Sequence, residues 1–228
     1  MRWLLLFLIF TKSISVPGQP TEGRIHLRSG ASIPLFEYAS ADLNKGCFTT
    51  TGLSTTLALS SNLYKRWGVT VQGGLQLHPV DVGWLGYEKV RTDPFLLDVT
   101  IRSEPYRILH FVGGPVYSFV PFPKLHLGAS LLGGALYAST PYQLHKPKYF
   151  MTGPDFYEIT TSSDYSFAYG AGLSLAYAIT DCYHLAIESD LLRSKAGFQF
   201  ISGTGLRTDW RQITMLNISL SLVLKVPY

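Results

Sequence analysis

The chain has 228 residues and a formal net charge of +4, and it is 46% hydrophobic with only 15% charged residues. That length suits one barrel-sized domain rather than two, and its apolar residues are dispersed in alternation, so no run of about 20 forms a membrane-spanning helix. Charges of both signs are mixed along the chain, as in Glu88-Lys89-Val90-Arg91, and no basic stripe is interleaved with aromatics, which leaves nucleic-acid binding without support.

Residues 1–20 have the make-up of a secretory signal that is removed. Arg2 is followed by a short apolar run from Trp3 to Phe10, and Ser13-Ile14-Ser15 offers small residues for cleavage, with Gly18 as an alternative. Residues 21–228 then form the domain. A first strand is predicted over 24–35, with Ile25, Leu27, Ala31, Ile33 and Leu35 on one face and Arg24, His26, Arg28 and Ser32 on the other. A polar loop over 37–46 has Asp42, Asn44 and Gly46 as turn residues. Strands follow over 48–61 and 67–79, joined by a short turn. The long stretch 80–105 mixes Asp, Gly, Pro and charges, and 95–101 within it is a possible strand extension.

The next strand, 106–120, has Leu109, Phe111, Tyr117 and Phe119 on its apolar face, though Ile108, Val112 and Val116 blur the alternation. Pro121-Phe122-Pro123-Lys124 is a tight turn, because proline fixes φ and cannot extend a ladder. A strand over 125–139 precedes a second long polar stretch, 140–163. The strand at 165–179 alternates almost ideally, Tyr165, Phe167, Tyr169, Leu173, Leu175 and Tyr177 against Ser166, Gly170, Gly172 and Ser174. After a turn at 180–182 comes a strand over 183–195, with Leu185, Ile187 and Leu191 outward and Glu188 and Asp190 inward. A Gly/Thr-rich loop, 202–209, leads into the last strand. There Leu216, Ile218, Leu220, Leu222, Leu224, Val226 and Tyr228 share one face, and Asn217, Ser219, Ser221 and Lys225 lie on the other. A period of 2 is a strand and not a helix.

About eight strands result, with connections alternately long and short. Short turns at one end, longer loops at the other and an even strand number describe a membrane barrel. The predicted fold is all-β, an eight-stranded antiparallel up-and-down transmembrane β-barrel in a bacterial outer membrane. A soluble barrel of the lipocalin kind would place its large apolar row inside. Here the face opposite the large row is Ser, Ala and Gly, which suits a narrow lumen. Aromatics near both strand ends fit two interfacial belts: Tyr64, Trp67, Phe119, Phe122, Tyr183 and Tyr228 by the short turns, and Phe36, Phe48, Tyr137, Tyr165, Phe167 and Phe198 by the loops.

The segment Gly30-Ala31-Ser32-Ile33-Pro34, with Glu37-Tyr38-Ala39-Ser40 and Gly46, resembles the first strand and loop of the small outer-membrane β-barrel proteins of Bacteroidetes-type bacteria, related in architecture to OmpA-type proteins. The Gly113-Gly114-Pro115 step and the aromatic C-terminal strand are similar too. The resemblance implies outer-membrane location, an eight-stranded barrel, and assembly through the terminal strand carrying Leu220, Leu222, Leu224, Val226 and Tyr228. It brings no catalytic motif with it, and Tyr228 departs from the usual terminal Phe.

Candidate chemistry is sparse. Cys47 and Cys182 are predicted at opposite ends of the apolar band of about 25 Å, too far apart for a disulfide, so both should be free. Arg24, His26 and Arg28 should meet Glu188 and Asp190 in the lumen. An unpaired charge there costs several kcal/mol, so Arg28 is expected to pair with Glu188 or Asp190, filling the lumen rather than lining an ion path. The six histidines show no metal-ligand spacing; a lumen metal on His26, His110 and His126 is disfavoured, and no cofactor is expected. Three functions remain. One is a structural or surface-binding barrel, with outer-membrane lipids, the barrel assembly machinery and a ligand on the long loops as partners; Trp84, Tyr87, Tyr142 and Tyr149 would supply the loop contacts. The others are a lipid-modifying enzyme with a Ser/His pair at the rim, and a narrow pore. The non-enzymatic reading is preferred.

Overall fold

The computed structural model describes residues 22–64, 66–202 and 205–227. The signal segment and Tyr228 lie outside the described residues. Eight strands close into one barrel: β1 (Glu22–Pro34), β2 (Gly52–Tyr64), β3 (Trp67–His78), β5 (Tyr106–Phe122), β6 (Leu125–Ser139), β9 (Ser163–Ala178), β10 (Tyr183–Ser202) and β11 (Gly205–Pro227). Their order is β1-β11-β10-β9-β6-β5-β3-β2, and β1 pairs β2 to complete the circle; every pair is antiparallel. Closure satisfies the backbone groups that hydrocarbon cannot.

The pleat sets what faces where. Outward positions are large and apolar, and they stay uncovered: Leu53, Leu57, Phe111, Leu131, Phe167, Leu173, Ile187 and Leu220 are all exposed. Ser54, Thr56, Thr70, Gln72, Gln76, His110, Asn217 and Ser219 point inward and are buried. This inverts the arrangement of a soluble barrel. Leu220, Leu222 and Leu224 sit on the outward row of β11, with Val226 in the same parity, and β11 pairs with both β10 and β1.

Four features differ from the sequence expectation. First, the outer half of the lumen is an apolar core. Ile108, Val112, Leu132, Leu136, Leu192, Ile213 and Met215 are all buried there. The blurred alternation of β5 follows, because both its faces meet apolar surroundings. Second, residues 95–101 do not extend a barrel strand. All but Phe95 belong to β4 (Leu96–Ser103), which joins β7 (Gln143–Tyr149) and β8 (Tyr157–Ile159) in a separate sheet of order β4-β7-β8. Third, the 80–105 stretch also holds a helix, α1 (Val82–Thr92), whose N-terminus is capped by Asp81 accepting from the Trp84 N–H at 2.9 Å. Fourth, the loop expected at 202–209 is mostly strand. β10 pairs with β9 only as far as Ser194, while its pairing with β11 runs to Ser202↔Gly205. The two therefore leave the barrel as a two-stranded ribbon.

Two of the expected belt aromatics, Phe48 and Phe198, turn inward instead, at 5% and 1% exposure. Phe48 takes a positive φ of 53°, a costly conformation for a bulky residue, and its ring packs with Leu85 and Ile101. That packing ties the β1–β2 connection to α1 and β4. Tyr64, Trp67, Phe122 and Tyr183 near the short turns, and Phe36, Tyr165 and Phe167 near the opposite end, are exposed as belts require.

Candidate functional site

The lumen holds the charges predicted to meet. Arg28 on β1 lies opposite Ser221 of β11, and Glu188 on β10 lies opposite Ser219. These two small residues leave room for the guanidinium to reach over β11. Arg28 Nη2 lies 2.5 Å from Glu188 Oε2, and Nη1 lies 2.8 Å from Asp190 Oδ2. Nη1 also donates to Gln72 Oε1 at 2.9 Å, and Gln72 Nε2 donates to Asp190 Oδ2 at 3.3 Å. His26 joins Glu188 Oε1 through Nδ1 and Ser60 Oγ through Nε2, both at 2.9 Å. A Cβ at Gly172 would collide with the Asp190 carboxylate and the Ser130 hydroxyl, so the absent side chain makes space for the acid. Arg24 shares the inward face, nearer the periplasmic end and opposite Lys225 and Ser60. Charged groups bonded to one another at this density leave a narrow interior full. His26 joins the network as expected, and Gln72 completes it, a residue type that announces no such role in the sequence.

A Ser/His pair does occur toward the outer rim. Ser32 Oγ lies 3.1 Å from His78 Nε2, and His78 Nδ1 lies 3.3 Å from the Thr50 carbonyl. Both side chains have 0% exposure, beneath the Tyr38 ring that meets His78 edge-on. In this arrangement the Ser32 hydroxyl is closed off from solvent and lipid. Cys47 is buried, Cys182 is exposed, and both are free. Among the described residues, no group of three His, Cys, Asp or Glu is placed to hold a metal.

Above the rim stands a tower made of α1 and the β4-β7-β8 sheet. Its base is set by a bridge between Thr49 and Val80 and by the Glu104 N–H donating to the Tyr142 carbonyl at 3.0 Å. β7 has seven residues, which at about 3.3 Å each make it roughly 23 Å long. At that end the Phe150 N–H donates to the Phe95 carbonyl at 2.9 Å, and Phe95, Leu97, Phe150 and Met151 are 53–75% exposed. Of the loop aromatics expected to make contacts, Trp84 and Tyr87 form an exposed pair with ring centroids 5.3 Å apart. Tyr149 instead packs against Gly153.

Between tower, ribbon and β1–β2 connection lies a cavity of about 390 Å³ at the outer mouth. Leu43, Phe48, Leu85, Phe198 and Phe200 supply apolar wall, and Lys89, Gln143, Glu158, Arg207, Asp209 and Arg211 supply polar groups. Lys89 donates to Tyr157 Oη at 2.9 Å and to His145 Nδ1 at 3.3 Å. The His145 ring stacks on Tyr157 with centroids 4.8 Å apart. With Nδ1 accepting, Nε2 carries the proton that bonds Gln143 Oε1 at 3.1 Å. Burial, and then the adjacent Lys89 charge, hold His145 down to about 4, so it stays neutral; burial also lowers the Lys89 ammonium. Opposite, the Asp42 carboxylate accepts from the N–H groups of Asn44 at 2.7 Å and Lys45 at 3.1 Å. Those bonds hold its pKa below the usual range and fix the turn predicted there.

A closed barrel with an apolar band outside, polar and packed side chains inside, short turns at one end and a folded extension at the other is a lipid-spanning structure of the outer-membrane type. The chain is an eight-stranded outer-membrane β-barrel. No protein-family model and no curated protein matches it. Solved structures with a similar fold include Ail, the attachment invasion locus protein of Yersinia pestis, at 13% identity and a TM-score of 0.48, covering 91% of this chain and 100% of that one. Neisserial surface protein A is similar at 9% identity and a TM-score of 0.48, covering 90% and 97%. The outer membrane protein AlkL is similar at 10% identity and a TM-score of 0.47, covering 95% and 94%.

Proposed function

We propose that the barrel is a non-conducting, non-enzymatic scaffold that holds a binding surface outside the cell, with the tower meeting an extracellular partner. The observation that carries this reading is the filled lumen. The Arg28–Glu188–Asp190 network blocks the mid-section, and the apolar layer from Ile108 to Met215 seals the outer half. A path for ions or solutes needs water, and both layers are packed with buried side chains, which supports the non-conducting reading. The exposed side chains at the tower's end then have no role in the barrel itself. Large apolar groups held out in water on a rigid support are typical of contact surfaces.

Within this reading the chain is a relative of the Bacteroidetes-type, OmpA-like small barrels, and its C-terminal strand, with Leu220, Leu222, Leu224 and Val226 facing lipid, is the element offered to the assembly machinery. The test replaces 80–105 and 140–162 by short turns. The shortened barrel should still insert, and adhesion of cells or vesicles displaying it to host-type matrix surfaces should be lost, with no conductance in planar bilayers for either form. Steady conductance through the full-length protein would favour the pore instead. Adhesion that survives the replacement would remove the tower from the account.

A further inference from the structure

We propose that the cavity at the outer mouth is a binding site for a small amphipathic anion, a flat apolar body bearing one carboxylate, with Lys89 as its counter-charge. This site is separate from the tower's apolar end and goes beyond the surface-binding reading. A volume of about 390 Å³ lies in the range of small-molecule sites, which are mostly apolar with a few fixed polar groups. Phe48, Phe198 and Phe200 provide the apolar walls. Two of them come from positions where an aromatic belt residue is expected but the side chain turns in, Phe48 at the expense of a positive φ.

The charges around the cavity are not balanced. Asp209 is engaged by Arg207 at 2.5 Å and Arg211 at 3.9 Å, and Arg211 also donates to the Asn44 carbonyl at 2.7 Å. Glu158 is hydrogen-bonded to the Tyr142 hydroxyl. Glu88, one residue before Lys89, turns away to Arg91 at 2.6 Å. Lys89 is left with a neutral ring and a hydroxyl, and among the described residues it has no ion pair. An ammonium that lines a half-enclosed cavity and is ion-paired to none of its described carboxylates is the partner an incoming anion satisfies. The neutral His145 and Tyr157 hold the Lys89 ammonium in place without competing for the anion. Because burial lowers the Lys89 pKa, an arriving carboxylate stabilises the protonated amine, so binding should strengthen as pH falls from strongly alkaline values toward neutrality.

The experiment uses the full chain in lipid nanodiscs, with empty discs as the partition control. Calorimetric titrations compare naphthalene-2-carboxylate with naphthalene-2-methanol and with naphthalen-2-ylmethylammonium. The carboxylate should bind at least about tenfold more tightly than the alcohol, and the ammonium should not bind. Lys89→Met should remove the preference for the carboxylate and leave the alcohol's affinity unchanged, while Lys89→Arg should retain the preference. Leu43→Trp fills the cavity from the opposite wall and should abolish binding of both the carboxylate and the alcohol, even if Lys89→Met loosens the tower. No binding, equal binding of carboxylate and alcohol, or an unchanged preference in Lys89→Met would overturn the proposal. Phe95→Ser with Phe150→Ser, at the tower's end, should leave these titrations unchanged, so the surface-binding reading stands or falls separately.

Discussion

Arg28 is the residue on which the barrel interior depends most. Its two acids lie 2.5 and 2.8 Å away, and all three side chains are buried. Replacing both acids, as Glu188→Gln with Asp190→Asn, strands the guanidinium. It should cost about 3–5 kcal/mol, read as a lower urea midpoint for unfolding from vesicles. An unchanged midpoint would show that the lumen does not rely on the network. His145 gives a second prediction. Its ordinary pKa is 6.5, and in the folded tower it is held down to about 4. Between those values the opened tower binds a proton that the closed tower refuses, so tower stability falls as pH drops from about 6.5 toward 4, and it is unaffected by this group above that window. Hydrogen exchange of the β7 amides should accelerate at pH 4.5 relative to pH 7 beyond the intrinsic pH effect, and His145→Phe should flatten the difference. Parity along a strand makes the face of Arg28, Glu188 and Asp190 legible in the sequence. The height at which they meet, and the help of Gln72 and His26, depends on interstrand register, which no local pattern carries.

At the scale of elements, the period of 2 locates all eight barrel strands because lipid outside and small or polar groups inside give each strand two unlike faces. The signal fades where both faces are apolar. On β5, Ile108 and Val112 line the sealed outer lumen while Leu109 and Phe111 meet lipid. Outside the membrane the solvent pattern changes again. Helix α1 buries only Leu85, Gly86 and Glu88, too thin a stripe to stand out, although Asp81 is a cap signal and Lys89 and Arg91 close its last turn. The cavity is illegible in the sequence for a different reason, because its walls come from seven separate segments. The turn between β9 and β10 gives a topology test. Exposed Cys182 belongs to the periplasmic end, and Cys47 is buried at the outer end. A membrane-impermeant maleimide should leave intact cells unlabelled and should modify Cys182 once the outer membrane is opened. Labelling of Cys182 on intact cells would invert the barrel.

For the whole molecule, the lumen and the outer face divide the work. The barrel is filled from the polar network up to the apolar seal, so its stability comes from closure and packing, and its exposed exterior is satisfied by lipid. The ribbon and the tower rise on the same side, and the cavity lies between them. On the proposed reading, function belongs at the outer mouth and the barrel below it is anchorage.

That account requires a closed barrel in the membrane before anything else, and gel mobility tests it most directly. Outer-membrane fractions extracted in mild detergent are run unboiled and boiled. The account predicts that the protein is found in that fraction and that the unboiled form, still a closed barrel resistant to the detergent, migrates differently from the boiled chain. A soluble periplasmic protein with identical mobility in both lanes would contradict it, because Leu53, Phe111, Phe167 and Leu173 could not then face hydrocarbon.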